Sequence, residues 1–574
     1  MLSHLRRLVQ HHGRNHRLAA QSLRPFSSAN TSDAYDVVIV GGGIMGLSTA
    51  HFLKNKSPST SVLVIERDPT YNSCSTTRSA ASIRHQFSNE ACIRMSLFGL
   101  DFLQNIDARL RVSPEDDPIN IDLVTDQGYL FLATEKGVDV LRENVQLQRR
   151  LGCPTRFMTP ADLKSVYPWL KIDAECGSVP HPPVSIPPNV DQDDSTGLLR
   201  TAEQEDKVGF KCETDNPTDF GFGGKVVLGS LGLSGEGWFD AESLLRAMKR
   251  KVKAQGVDFL DDKVVGFTTS LNDNAGATSP SSLGKPASDE VLKGLQGSAA
   301  KYGLHIPPPS FVSSVHTAGG KTIRVKKDVV NAAGASGGKV SRLLKAPLPI
   351  AHKKRCIFVV SVEESHELAK TAAEPLTEEQ KRPLPGTEPD FPLPKPRTMS
   401  QGPLLIDTSG IWFRPTTTPA STNDKRDASF AAGSWSQGEE GRVTVIAGYS
   451  PSSQFDPNAA EDNFEVQHEL WDEIMWPALA SRVPAFEASR VVSSWAGHYE
   501  TNTFDHNGVI GRHPTISNFV YACGFSGHGL QHAPATGRAV ADILLEGKHK
   551  DIDVSCFAYE RILNNQPLIE RNIV

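Results

Sequence analysis

The chain has 574 residues, with 60 lysines and arginines against 66 acidic residues and a formal charge of −6. Its composition is 39% hydrophobic, 22% charged and 7% aromatic, with 46 glycines and 38 prolines, which excludes collagen-like, coiled-coil and wholly disordered architectures. A net acidic chain is not built around a polyanion, so nucleic acid is not the main partner, and eight cysteines without a C-x-x-C pair argue against a disulfide framework or a structural zinc site.

Residues 1–33 read as an address. From Met1 to Ser32 there is no acidic residue, and Arg6, Arg7, Arg14, Arg17 and Arg24 punctuate leucines and serines. That pattern predicts a mitochondrial presequence, with a processing site near Arg24-Pro25-Phe26, and hence a location in the matrix. No later apolar run is long enough to span a bilayer, so any contact with the inner membrane is peripheral.

Next comes a β-branched run, Val37-Val38-Ile39-Val40, and then Gly41-Gly42-Gly43-Ile44-Met45-Gly46, a G-x-G-x-x-G that opens a helical stretch from Leu47 to Lys54. A second apolar run, Val62 to Ile65, ends at Glu66. In this pattern Gly41 permits a tight turn, Gly43 lets the backbone approach a pyrophosphate, and Gly46 lets the helix pack close to the sheet. Glu66 is placed to accept hydrogen bonds from a ribose, and its charge disfavours a 2′-phosphate. The motif alone leaves NAD and FAD open.

Further on, Gly128–Thr134 reads as a strand and Ala241–Gln255 as an amphipathic helix. Lys263–Phe267 reads as a strand whose Val264 backbone meets an adenine. Asp328–Ala335 is a strand ending in small residues, with Ala333 and Gly334 placed to return to the cofactor. Arg355–Val362, Gly410–Arg414 and Val443–Tyr449 read as strands of a second part. Phe519–Cys523 leads into a second glycine loop, Gly524-Phe525-Ser526-Gly527-His528-Gly529-Leu530, and a helix is expected over Ala533–Leu545 with Gly547 as its stop. The N-terminus of such a helix suits a flavin pyrimidine, so these later signals favour FAD. Three stretches, 178–217, 269–309 and 363–397, read as mobile insertions. His528 and His532 stand at helical spacing, but the sequence offers no third ligand beside them, and no metal is assigned.

These elements predict an α/β fold: a Rossmann-like FAD-binding domain from 34–110, 233–345 and 490–574, and an α+β substrate domain on a mainly antiparallel sheet from 111–232 and 346–489. The same stretches, together with Val64-Ile65-Glu66-Arg67-Asp68, Gly235 to Asp240, Trp495-Ala496-Gly497 and Asn502 to Asp505, resemble the D-amino-acid oxidase superfamily of FAD oxidoreductases, which includes sarcosine oxidases and dimethylglycine dehydrogenase. Within it the chain is most similar to a mitochondrial branch associated with assembly of respiratory complex I. The resemblance implies that Arg67, Ser75 and Thr76 also meet FAD, and that Arg84 holds a substrate carboxylate. A guanidinium fork suits that task because it binds both oxygens at once. It implies a place at the flavin edge for His528, with His85 and His498 nearby.

Three departures from the sarcosine oxidase pattern follow. Ile446 stands where the oxygen-activating lysine is expected, Gln531 replaces a second carboxylate-binding lysine, and the position of the flavin-tethering cysteine is taken up by His498-Tyr499. Non-covalent FAD and poor reactivity with oxygen are therefore expected. Two functions compete: a matrix flavoenzyme that oxidises a small carboxylate-bearing amine, amino acid or 2-hydroxy acid, and a FAD-stabilised assembly factor for complex I whose turnover is incidental.

Overall fold

The β-branched runs on either side of the first glycine turn form the centre of a parallel sheet. In the computed structural model, Ala34–Val40 lies between Thr322–Asn331 and Val62–Glu66, parallel to both, with Val38 opposite Val329 and Leu63. The sheet continues outward through Asp258–Asp261 on one side, and through Phe519–Cys523 and Val509–Arg512 on the other. Successive residues of a strand point to opposite faces. Val37, Ile39, Val62 and Val64 therefore feed one core, beneath the helices Ile44–Lys56 and Gly529–Glu546, while Val38, Val40, Leu63 and Ile65 feed the other. The antiparallel strands Val264–Leu271 and Ser310–Thr317 extend from Thr322–Asn331.

The structure describes residues 33–173, 225–271, 293–297, 306–363, 384–388, 390–416, 441–451 and 456–572. The expected presequence and the stretch 178–217 lie outside them, as does most of 269–309. Of 363–397, the segment 390–397 is described and is pinned rather than free: Arg149 meets Asp390 at 2.6 Å, the Trp169 indole donates to the Arg397 carbonyl at 3.0 Å, and Arg397 donates to the Gln127 carbonyl at 2.7 Å. Composition misled there because the fixing partners, Arg149, Trp169 and the Gln127 carbonyl, come from other parts of the chain.

The second sheet runs Arg490–Asn502, Ile350–Glu363, Arg442–Tyr449, Ile411–Pro415, Leu404–Ile406, Tyr129–Ala133, Leu228–Gly232, Thr155–Met158. It is antiparallel except where Leu404–Ile406 runs parallel to Tyr129–Ala133. Two expectations are corrected. Arg490–Asn502 belongs to this second sheet, paired along its length with Ile350–Glu363, and not to the dinucleotide part. The helix expected over Ala533–Leu545 spans Gly529–Glu546 and runs through Pro534. The proline sits close enough to the N-terminus for the helix to continue, and its missing N–H deprives only the Leu530 carbonyl of its helical donor. Gly547 ends that helix at φ +74°.

Candidate functional site

The first glycine turn is closed by backbone on both sides. Gly41 sits at φ +105°, and a Cβ there would lie 2.3 Å from the Ala332 carbonyl oxygen; a Cβ on Gly46 would lie 2.0 Å from the Gly41 carbonyl oxygen. Gly43 differs, because nothing approaches its Cβ position closer than the Cys74 sulfur at 3.6 Å. Its open side faces a cavity of about 410 Å³ lined by the turn, by Glu66, and by residues of both sheets. Glu66 Oε2 accepts from the Gly42 N–H at 2.7 Å and Oε1 from the Asp68 N–H at 2.9 Å, which fixes the carboxylate at the end of its strand.

Of the residues expected to meet the cofactor, Gly41, Gly43, Ile44, Met45, Glu66, Arg67, Ser75, Thr76, Val264, Ala333, Gly334, Gly527, Gly529 and Leu530 line this cavity. Gly46 lies behind the turn. Gly524 backs onto Ile350, and Ser526 (φ +48°) accepts from the Asn502 N–H at 2.9 Å, so these two shape the second loop. A dinucleotide fits this cavity: a positive-φ glycine turn, a glycine open to close approach, a carboxylate at the second strand end, and a second glycine loop opening a helix. FAD would be held by these residues.

A strap, Asp456 to Phe464, crosses the rim. Arg355 grips Asp456 through two bonds of 2.8 Å, and the Asn463 carbonyl meets His498 Nε2 at 2.9 Å, with Phe464 stacked on that ring at 4.4 Å. Glu461 sits among three cations, paired with Arg67, with Lys339 at 3.0 Å and with Lys263 at 4.0 Å. Glu461→Gln is expected to speed both uptake and release of FAD by about threefold or more, since it loosens a partly exposed network worth ~0.2–1 kcal/mol per pair. Stopped-flow flavin fluorescence reads both rates.

Glu500 lines the cavity between the two glycine loops, and burial pushes its carboxyl up to about 7 from 4.5. A raised carboxyl contributes stability that is complete below its unfolded value and is lost as pH rises through its folded value. The thermal midpoint of FAD-free protein should therefore fall between about pH 5 and pH 8, and Glu500→Gln should flatten that slope.

A smaller cavity of about 40 Å³ adjoins the first, sharing Ala80, Trp412, Tyr499 and Gly527 with it and adding Ser82, Arg84, Tyr129, Leu404, Ser526, His528 and Gln531. Its size admits a ligand of only a few heavy atoms. Arg84 is buried and held from behind: its terminal nitrogens donate to the carbonyls of Gln86 and Asn572, and its guanidinium lies 4.1 Å from the centre of the Phe87 ring. A guanidinium has five N–H donors, so donors remain for the pocket whose wall it forms. Gln531 Oε1 accepts from the Arg84 N–H at 2.8 Å and from Ser96 Oγ at 3.0 Å.

His528 lines the small pocket, and burial depresses its ring well below the usual histidine range, so it is neutral. His85 lies behind the pocket, 3.9 Å from the buried Glu236, whose carboxyl burial raises to about 7. His498 lines the large cavity. Ile446 lines neither cavity. Gly448, two residues on and on the same face, reaches the cavity instead, and the Trp412 indole fills the space above it, 2.3 Å from where a Cβ would be. The sequence left His528 and His532 without a third metal ligand; the fold brings Cys92 beside them. Sequence reading also missed Tyr129, Trp412, Tyr499, Glu461 and Asn572, which no local motif flags.

Comparisons with known proteins agree with this geometry. A family model described as "FAD dependent oxidoreductase" matches residues 36–182 and 211–543. FAD-dependent oxidoreductase domain-containing protein 1 of Xenopus laevis is 34% identical over 547 residues, covering 94% of this chain and 85% of that protein. Its Bos taurus counterpart is 32% identical, covering 92% and 84%. Among solved structures, L-proline dehydrogenase from P. horikoshii superposes with a TM-score of 0.57 at 20% identity, covering 93% of this chain and 99% of that one. Glycine oxidase from Geobacillus kaustophilus gives 0.54 at 16%, covering 92% and 98%.

Proposed function

Because the chain belongs to the family of FAD dependent oxidoreductases, we propose that it oxidises a small carboxylate-bearing amine, amino acid or 2-hydroxy acid, and that it works as a dehydrogenase. The observation that carries the reading is the small pocket, which adjoins the dinucleotide cavity and has Arg84 as its only cationic wall among the described residues. FAD, when bound, supplies the two-electron acceptor.

The chain's own residues do the rest. Arg84, fixed by Gln86 and Asn572, presents its remaining N–H groups to the substrate carboxylate. Tyr129, Trp412 and Tyr499 wall off water and leave little room for a side chain. His528 stays neutral and so does not compete with Arg84 for the carboxylate. A substrate amine that enters neutral needs no base within the pocket.

A cation beside the flavin speeds electron transfer to oxygen by stabilising the negative charge that forms. Among the described residues the one cation that lines the small pocket is Arg84, which a bound carboxylate would neutralise, and Lys263 and Lys339 of the large cavity pair with Glu461. This supports slow reoxidation by oxygen and transfer to another acceptor. The test is anaerobic: small amino acids, N-methyl amino acids and 2-hydroxy acids are mixed with the FAD-loaded protein, and flavin absorbance is followed. Bleaching by at least one acid, then slow recovery in air, is expected. No bleaching by any of them overturns the reading.

The acid-free, arginine-rich N-terminal stretch supports a mitochondrial matrix location. The family resemblance supports a role in assembly of respiratory complex I, in which FAD acts as a folding ligand. Rescue of an assembly defect by a variant that binds FAD but bleaches with no substrate would favour that binding role over turnover.

A further inference from the structure

Cys92, His528 and His532 bring their ligating atoms within 4.8 Å of one another. They come from two helices: Cys92 from the first turn of Glu90–Gln104, and the histidines from the N-terminal end of Gly529–Glu546. All three are buried, at 0%, 5% and 1% exposure.

Their chemistry is incomplete as it stands. Nε2 of His528 and Nε2 of His532 have no hydrogen-bond partner. The His532 ring is engaged through a hydrogen bond to the Cys92 backbone, which fixes the tautomer that leaves its Nε2 lone pair free. The Cys92 thiol donates to Asn507 Oδ1 at 3.3 Å, a bond that loss of its proton would end. Phe87 and Phe525 pack against both imidazoles, and of the two only His528 also lines the small pocket. Arg84 and Glu570 are the charged groups that bear on the cluster, with opposite signs.

Aromatic packing alone would explain two imidazoles set edge to face at 5.1 Å, but not two imidazoles and a thiol converging with two ring nitrogens unused. A backbone contact that orients the ring is the usual outer partner of a metal-bound histidine. Two imidazole nitrogens and a thiolate are the donor set of a zinc-class ion, and three protein ligands leave its fourth position to water. We propose that Cys92, His528 and His532 bind a divalent zinc-class ion that ties these two helices together beside the small pocket. On binding, the Cys92 S–H bond breaks, its proton goes to solvent, and the thiolate and the two Nε2 atoms each donate a lone pair in place of water; nothing is oxidised or reduced.

The test uses the FAD-loaded protein, equilibrated with zinc chloride and desalted, with metal content and zinc-edge X-ray absorption as readouts. About one zinc per chain is expected, with one sulfur at about 2.3 Å and two nitrogens at about 2.0 Å. His532→Ala and Cys92→Ala should lose the ion while keeping FAD absorbance. If either variant does not fold, the spectrum of the unmodified protein decides alone. Absence of retained zinc, or a shell without sulfur, overturns the proposal. Bound zinc would add positive charge beside the small pocket, so anaerobic bleaching is read on the metal-free protein, where it decides the functional reading, while the absorption spectrum of the zinc-treated protein decides the metal.

Discussion

Gly43→Ala should yield protein as stable as the unmodified chain but with little or no FAD, whereas Gly41→Ala should lose both cofactor and stability. The distinction rests on where the added carbon goes. At Gly43 it enters open space, with the nearest atom 3.6 Å away, on the side that faces the cavity. It would stand in the path of a diphosphate and disturb nothing else. At Gly41 it would lie 2.3 Å from the Ala332 carbonyl oxygen, in a residue at φ +105°. Strain and overpacking there together cost ~2–5 kcal/mol. Visible absorbance per chain and thermal midpoint separate the two outcomes. Full flavin content in Gly43→Ala would show that the diphosphate does not approach this turn.

Arg84→Ala should destabilise the protein by about 3–5 kcal/mol, whatever it does to substrate. The guanidinium holds the Gln86 and Asn572 carbonyls and is the cation that bears on two buried carboxylates, Glu236 and Glu570. Removing it takes the guanidinium donor from the Asn572 carbonyl and the nearby positive charge from both carboxylates, which keep their other donors, and the contact over Phe87 is lost as well. Loss of activity in that variant would therefore say little about carboxylate binding. Arg84→Lys is the informative change: it restores the charge and part of the stability but not the fork. Flavin bleaching by the best substrate should then need at least tenfold more acid, with the maximum bleaching rate less affected. Unchanged half-saturation in Arg84→Lys would remove Arg84 from substrate recognition. Denaturant midpoints and anaerobic titrations check the two halves.

Local chemistry was legible in the sequence and assembled chemistry was not. The glycine turn and Glu66 could be read because strand, turn and helix are consecutive and each glycine has a steric reason. Four of the eight strands of the second sheet could be read from their apolar runs. The walls of the small pocket could not, since Tyr129, Trp412 and Tyr499 lie on strands brought together only by sheet pairing. Ile446 shows the limit of position-by-position transfer. The pleat puts it and Gly448 on one face, but Gly448 is the residue that reaches the cavity, and a tryptophan from the adjacent strand takes the space its side chain would need. The last long helix starts at Gly529, four residues before the expected Ala533, because the end of the glycine loop already winds into it, and Pro534 near the N-terminus costs only one carbonyl its donor.

Arg84, in the wall of the small pocket, leans on Asn572, 488 residues further along the chain. Contacts so distant along the chain form late in folding, so this wall is completed after the glycine turn, whose strand, loop and helix are consecutive. Disrupting the segment Glu570 to Asn572 by substitution should therefore cripple this corner while the nucleotide cradle stays intact.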